Sequence, residues 1–388
     1  MAERRGLLCF GSFTRDDWAL LWQREQAVLT RLANRFEIYY VERFATRQPK
    51  PAALVRAVGR RLLTQRKRSG VIDRDGLHLI DPGVGLFHGT RSWRRRNSRT
   101  LARAIESAWP RDLRQSVLWI YNPSYLALEL LERTAGQWER TVYDCVERFA
   151  FNRSYPPDIG EIDREIARHV DVVFADSRTI FEEKKPLNPA THFVPPGLDV
   201  ERFIWEGVNR TLPDELRWRK KPMLGYHGAW HHAFDDELVT TTLEAITDSR
   251  FFFVGPTFGR ERRMRKHCPS AVFLGPRDHL RLGRYVNGFD ICLIPYRRNA
   301  LTEGVFPSKF FEYVATGLPI VSTDLPDLRE YGEWVALARD RREFVEKVQA
   351  ASDQPRRAPQ LIRPFVERQS WGRRLEQMLD LLRLDPGE

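Results

Sequence analysis

Pro307-Ser-Lys-Phe-Phe-Glu312-Tyr-Val-Ala-Thr-Gly317-Leu-Pro319-Ile-Val-Ser322 is the stretch on which the fold turns. Pro307 suits the first position of a helix, where its missing N–H costs nothing. Gly317 suits the position just past a helix end, where a left-handed backbone closes the last turn. Between them Phe311, Val314, Ala315 and Leu318 recur at helical spacing and predict a core-facing stripe. Ser308, Lys309, Glu312 and Thr316 fall largely on the other side. A helix over 307–316 followed by a strand over 319–322 is an α/β signature.

Working outward, the same alternation recurs on the N-terminal side of this stretch. Short apolar runs at 222–226, 251–254, 272–274 and 291–294 read as strands, with helices predicted over 236–247 and 279–287. Three of these strands stop at His227-Gly228, Gly255-Pro256 and Gly275-Pro276, which is turn chemistry. Nearer the N-terminus, strands are predicted at 7–10, 36–41, 117–121, 141–143, 172–175 and 191–194, with a helix over 18–32. Apolar strands joined by helices predict parallel sheets covered on both faces. The predicted class is α/β, with two Rossmann-like doubly wound domains facing a central cleft. Their predicted spans are 1–205 and 206–362, with the polar seam near 202–219. A C-terminal helical segment over 363–388 is expected to cross back to the first domain.

The length of 388 residues agrees with two cores. No apolar run approaches the roughly 18 residues of a spanning helix. The N-terminal Met-Ala-Glu-Arg-Arg-Gly-Leu-Leu-Cys-Phe reads as a first strand, since no small-residue cleavage site follows. A cytoplasmic protein is therefore expected. Cys9, Cys145, Cys268 and Cys292 match no disulfide or zinc spacing. His227 and His231 are four apart but fall in a predicted loop, so no metal site is expected. The net charge of +11 favours anionic partners. Arg56, Arg60, Arg61, Arg66, Lys67 and Arg68 form one basic cluster, and Arg91, Arg94, Arg95, Arg96 and Arg99 a second. Two readings of these clusters stand side by side: an anionic membrane interface on the inner face of the cell membrane, or solvated helix faces.

The tip of the 307–316 helix offers unpaired backbone N–H groups, a natural diphosphate site. Lys309 adds a positive charge there, and Glu312, three residues on, is a carboxylate suited to ribose hydroxyls. Pro307 and Ser308 stand at the tip itself. Arg297 precedes it and can reach phosphate.

This stretch resembles the donor signature P-x-K-x-x-E-Y-x-A-x-G-x-P-[IV]-V of GT-B glycosyltransferases related to families 4 and 1. Pro307, Lys309, Glu312, Tyr313, Ala315, Gly317, Pro319 and Val321 match it in order. Tyr143-Asp144-Cys145-Val146-Glu147 resembles a segment of bacterial cell-surface polysaccharide transferases of the teichuronic-acid type. Gly225-Tyr-His227-Gly228 resembles the opening of a donor domain. The resemblance implies a nucleotide diphosphate sugar as donor, with Glu312 on its ribose and Lys309 near its diphosphate. No metal or further cofactor is expected. The acceptor it implies is a saccharide or lipid-linked molecule of the cell envelope. One departure stands out: many retaining members carry a second glutamate eight positions before Glu312, where this chain has Gly304, with Glu303 beside it. The stereochemical outcome is left open.

An inverting enzyme needs a base, and Asp144 or Glu147 at a strand end are the candidates; a purely structural role is the alternative reading. Gly11, Ser12, Arg15 and Trp18 are assigned to the acceptor side, with a capped helix and buried tryptophan as the alternative. Two rival functions are a nucleotide-sugar 2-epimerase of the same fold and a nucleic-acid-binding protein. The second is disfavoured, since no nucleic-acid motif accompanies the charge and no nucleic acid is expected as partner.

Overall fold

The computed structural model describes all residues except 1–3, 15–17, 19–21, 44–72, 75–76, 81–90, 217–221 and 385–388. Arg15 and the 56–68 cluster therefore lie outside the described residues. The chain divides into two units. The first takes the chain up to Asp176, then Ile180–Val194 and the chain's end from Leu379; the second takes Ser177–Thr179 and Pro195–Met378.

The first unit holds strands β1 (Arg5–Phe10), β2 (Phe36–Val41), β3 (Asp73–Arg74), β4 (Leu77–Ile80), β5 (Ser116–Ile120), β6 (Arg140–Cys145), β7 (Val172–Ala175) and β8 (Thr191–Phe193). Their order in the sheet is β3-β4-β2-β1-β5-β6-β7-β8, and every pair is parallel except β3 with β4. All five residues of β5 are buried, as is expected of a parallel strand covered on both faces. Helices α1 (Arg24–Leu32), α2 (Arg91–Ala108), α3 (Tyr125–Arg133), α4 (Ile159–His169) and α5 (Arg178–Lys184) connect them. Within the predicted helix over 18–32, a regular helix runs from Arg24 to Leu32, and Gln23 and Gln26 form a reciprocal capping box at its start.

The second unit holds β9 (Met223–His227), β10 (Arg250–Val254), β11 (Ala271–Gly275), β12 (Ile291–Ile294), β13 (Ile320–Thr323) and β14 (Ala336–Ala338). These pair in parallel in the order β11-β10-β9-β12-β13-β14. This is the doubly wound order in which the chain reverses direction beside the first strand. Its helices are α6 (Val200–Phe203), α7 (Asp236–Ala245), α8 (Glu261–His267), α9 (Leu282–Val286), α10 (Lys309–Thr316), α11 (Arg341–Ala351), α12 (Pro359–Arg368) and α13 (Trp371–Leu382).

The second unit takes up the chain from Pro195, eleven residues before the predicted start at 206. Leu198, Val200, Phe203 and Ile204 are all buried in the second unit's core, and that burial draws the chain in from Pro195 onward. The C-terminal segment is two helices rather than one, broken at Gln369 and Ser370. Its last turn is counted with the first unit, where the Arg140 side chain donates to the Leu382 carbonyl at 2.8 Å.

Candidate functional site

In open α/β sheets, ligands bind beyond the carboxyl ends of the strands where the winding reverses. In the second unit that point lies between β9 and β12. Strand β9 ends at His227, and Gly228 follows with φ +126, a conformation that side chains disfavour. Beside it Gly255 has φ +146, and a Cβ there would stand 2.1 Å from the Gly228 carbonyl oxygen. Two glycines thus let the turns after β9 and β10 touch.

Helix α10 aims its first residue at the same place. Ser308 stands at its N-cap and Gly317 closes it in the left-handed conformation, with φ +73. The stripe Phe311, Val314, Ala315 and Leu318 is buried. Burial extends further round the helix than amphipathic spacing predicts: Lys309 and Thr316 are also buried. The Thr316 hydroxyl donates to the Tyr313 carbonyl, so it is structural. Only Ser308 is exposed and only Glu312 half-buried.

Lys309 is 5% exposed. Its Nζ hydrogen-bonds the Tyr296 hydroxyl and lies 5.1 Å from the Tyr226 ring centre and 4.9 Å from that of Tyr296. Among the described residues no carboxylate pairs with it. A buried ammonium held only by a phenol and two ring faces lacks a counter-charge. Glu312 Oε2 lies 3.0 Å from His227 Nε2. No hydrogen bond forms across this approach, and among the described residues that buried nitrogen has no other hydrogen-bond partner. The Tyr313 hydroxyl accepts from the His227 backbone N–H at 3.0 Å, fixing helix and strand end together. Pro307 is buried behind the tip.

Arg297 is engaged elsewhere: it reaches the Asp236 carboxylate at 2.5 Å and the Phe234 carbonyl at 3.3 Å. Glu303 is exposed in a single turn over Thr302–Gly304. Tyr226 and Tyr296, which wrap Lys309, were not singled out by sequence reasoning. Their positions on and just after apolar strands looked like ordinary core.

In the first unit the corresponding reversal lies between β1 and β5. Gly11 follows β1, and a Cβ on it would stand 1.9 Å from the Tyr40 ring. The space over this glycine is filled by Tyr40, against which Trp18 packs edge-on at 5.0 Å. The Ser12 backbone N–H donates to both Glu25 carboxyl oxygens at 3.1 Å. Burial lifts the Glu25 carboxyl to about 8 despite these donors. Glu25 escaped sequence reasoning because nothing marks a helix glutamate as buried until the sheet covers it.

Asp144 is fully buried in β6 and accepts from Arg24 Nε at 2.9 Å. Arg24 also donates to the Val194 carbonyl at 2.8 Å. Burial raises the Asp144 carboxyl, against the pull of Arg24. Glu147, just beyond the strand, is half-buried and accepts from the Asn152 amide at 2.8 Å. Burial lifts it to about 6.

With this geometry in place, known proteins can be compared. Residues 223–354 match the family Glycosyl transferases group 1. The matched residues all lie in the second unit. The match runs from the start of β9 to just past the end of α11 and includes Lys309 and Glu312. TuaH of Bacillus subtilis (strain 168), named as a glycosyltransferase of teichuronic acid biosynthesis, is 27% identical over 231 residues. That match covers 54% of this chain and 55% of TuaH, so the chain spans about half the length of the curated relative it matches. Among solved structures, sucrose-phosphate synthase from Thermosynechococcus elongatus is similar with a TM-score of 0.69 at 15% identity, over 98% of both chains. HepE of Anabaena in complex with UDP is similar with a TM-score of 0.64 at 11% identity, over 97% of this chain and 99% of its own. The likeness over nearly the whole chain shows a GT-B fold made of two α/β units.

Proposed function

We propose that the chain transfers a sugar from a nucleoside diphosphate sugar to a saccharide or lipid-linked acceptor in cell-surface polysaccharide synthesis. The observation that carries this reading is the buried Lys309 side chain, which has no carboxylate partner among the described residues and lies one turn before the Glu312 carboxylate, at the winding reversal of the unit that matches the group 1 glycosyl transferases. A diphosphate supplies the missing negative charge, and the tip of α10 adds backbone donors to it. Glu312 accepts from the ribose hydroxyls. During transfer the negative charge on the leaving diphosphate grows, and Lys309 is already in place to meet it. UDP is the first nucleotide to try, since it is the one bound in the Anabaena neighbour.

For the base we favour Glu147 over Asp144. Glu147 reaches solvent, and its carboxyl near 6 is ionised yet basic at neutral pH. Asp144 is sealed behind Arg24. We assign Gly11, Ser12 and Trp18 to shaping the acceptor side through Tyr40 and Glu25 rather than touching substrate. Contact with an anionic membrane rests on the 56–68 cluster. The 91–99 cluster is largely engaged: Arg91 pairs with Glu161 at 2.7 Å, Arg94 with Asp158 at 3.0 Å and Arg99 with Glu129 at 3.4 Å.

The direct test is thermal stabilisation by UDP-, GDP- and dTDP-sugars, in the parent chain and in Glu312→Ala. One donor should raise Tm in the parent and lose that effect in the variant. Equal stabilisation of both would refute the ribose assignment. Turnover of the donor with no acceptor present would point instead to an epimerase.

A further inference from the structure

After β10 the chain closes a tight turn over Thr257–Arg260, where the Arg260 N–H donates to the Thr257 carbonyl at 3.1 Å. Both central residues are left-handed: Phe258 has φ +53 and Gly259 φ +79. Turns of this kind take glycine, asparagine or aspartate at both places, because a side chain is disfavoured there. A phenylalanine in the first of them is an outlier. Its ring gains no burial in return, since Phe258 is 62% exposed. A Cβ on Gly259 would meet nothing within 4 Å, so the tip of the turn is open. The Thr257 hydroxyl donates to Glu261, which ties the turn to the start of α8.

Helix α8 carries on from this tip. Met264 and, just past the helix, Cys268 are buried. Arg262, Arg265 and Lys266, at i, i+3 and i+4, are exposed on the opposite side. Within 258–267 stand Arg260, Arg262, Arg263, Arg265 and Lys266 against the single acid Glu261, which the Thr257 hydroxyl already engages. Among the described residues Arg262, Arg265 and Lys266 form no ion pair. The Arg265 guanidinium lies over the Phe273 ring at 4.9 Å, against β11, the edge strand of this sheet.

We propose that the Phe258 tip and the outer side of α8 form a contact for an anionic lipid bilayer. The ring enters the boundary between headgroups and acyl chains, while Arg262, Arg265 and Lys266 meet lipid phosphates. A ring held in the open on a strained backbone calls for an apolar partner. The cations beside it call for an anionic one, and a bilayer of acidic lipid offers both within a few ångströms of depth. Arginine and lysine suit that boundary, because their stems lie along the apolar layer and their charged heads stay at its surface. The contact is separate from the 56–68 cluster and does not depend on the donor assignment.

The test labels the tip. All four native cysteines are buried, so Phe258→Cys offers one exposed thiol for a polarity-sensitive fluorophore. Its emission should rise and shift to the blue with phosphatidylglycerol vesicles, and stay unchanged with phosphatidylcholine vesicles. Arg262→Ala/Arg265→Ala/Lys266→Ala in the labelled chain should weaken this partition by about a hundredfold. In the unlabelled chain, Phe258→Ala should weaken co-sedimentation with phosphatidylglycerol by about tenfold without lowering Tm. The proposal is overturned if the label stays in water while the chain sediments with vesicles, since the contact is then made elsewhere, as by the 56–68 cluster. It is overturned if the triple variant partitions as its parent does, or if the full chain ignores phosphatidylglycerol altogether. It is also overturned if the label reports an apolar setting without lipid as the chain concentration rises, since the tip then meets a second copy. Failure of the donor reading shows separately, in the Glu312→Ala melting experiment.

Discussion

The roles proposed for Lys309 and Glu147 both rest on burial. Glu147→Gln should reduce kcat by about 10²- to 10⁴-fold while donor binding stays near normal, as measured by steady-state kinetics and donor titration. Because the base must be ionised, kcat/KM should rise with pH through about 6, the position to which burial lifts Glu147. The absence of that limb in a pH profile would remove the assignment. Glu25 makes a stability prediction. Its folded carboxyl sits near 8, above its ordinary range, so the proton is bound more tightly in the folded state. The stabilisation is complete at low pH and is lost as pH rises through about 8. Melting temperatures from pH 5 to 9 should fall in the parent and fall less in Glu25→Gln. The Arg24–Asp144 pair is buried on both sides, so Asp144→Asn should destabilise by about 3–5 kcal/mol in urea melts, having left a buried guanidinium uncompensated.

Helix α10 is short, and its ends decide where Lys309 points. Gly317 closes it with φ +73, and a Cβ there would stand 2.5 Å from the Arg357 carbonyl oxygen. Gly136 has a similar φ of +70 but nothing within 4 Å. Gly317→Ala should therefore cost about 1–3 kcal/mol and weaken donor binding. Gly136→Ala should cost only about 1–2 kcal/mol and leave binding unchanged. Urea melts with donor titration separate the two. Helix α2 carries the 91–99 arginines, and its ion pairs with Asp158, Glu161 and Glu129 make it a packing element of the first unit. Charge alone could not reveal this, because the acids lie 30 to 70 residues away in sequence.

At the level of the molecule, each sheet reverses its winding beside its first strand, and each reversal collects ionisable groups. In the second unit these are Lys309, Glu312 and His227; in the first, Glu25, Asp144 and Arg24. A donor present at one hundred times its Kd should stabilise the folded chain by about 2.7 kcal/mol, enough to read as a rise in Tm. Among the described residues no helix is long and apolar enough to cross a membrane. Reversing the charge of Arg60, Arg61, Arg66 and Arg68 should release the chain from anionic liposomes in a sedimentation assay. Retained binding would remove the 56–68 cluster from the account.

The alternation of strand and helix, the glycine that ends α10 and the positions of Lys309 and Glu312 were all legible in the sequence. They follow from local rules: side-chain period, the φ of proline and glycine, and a spacing of three along one helix. Other features were decided only by tertiary packing. Burial around most of α10 strips Lys309 of its water, and Tyr40 rather than a ligand fills the space over Gly11. Arg24 seals Asp144, and the early helices of the second unit pull the seam back to Pro195. Each depends on which distant side chains meet, and desolvation and pairing between such groups have no local sequence signal.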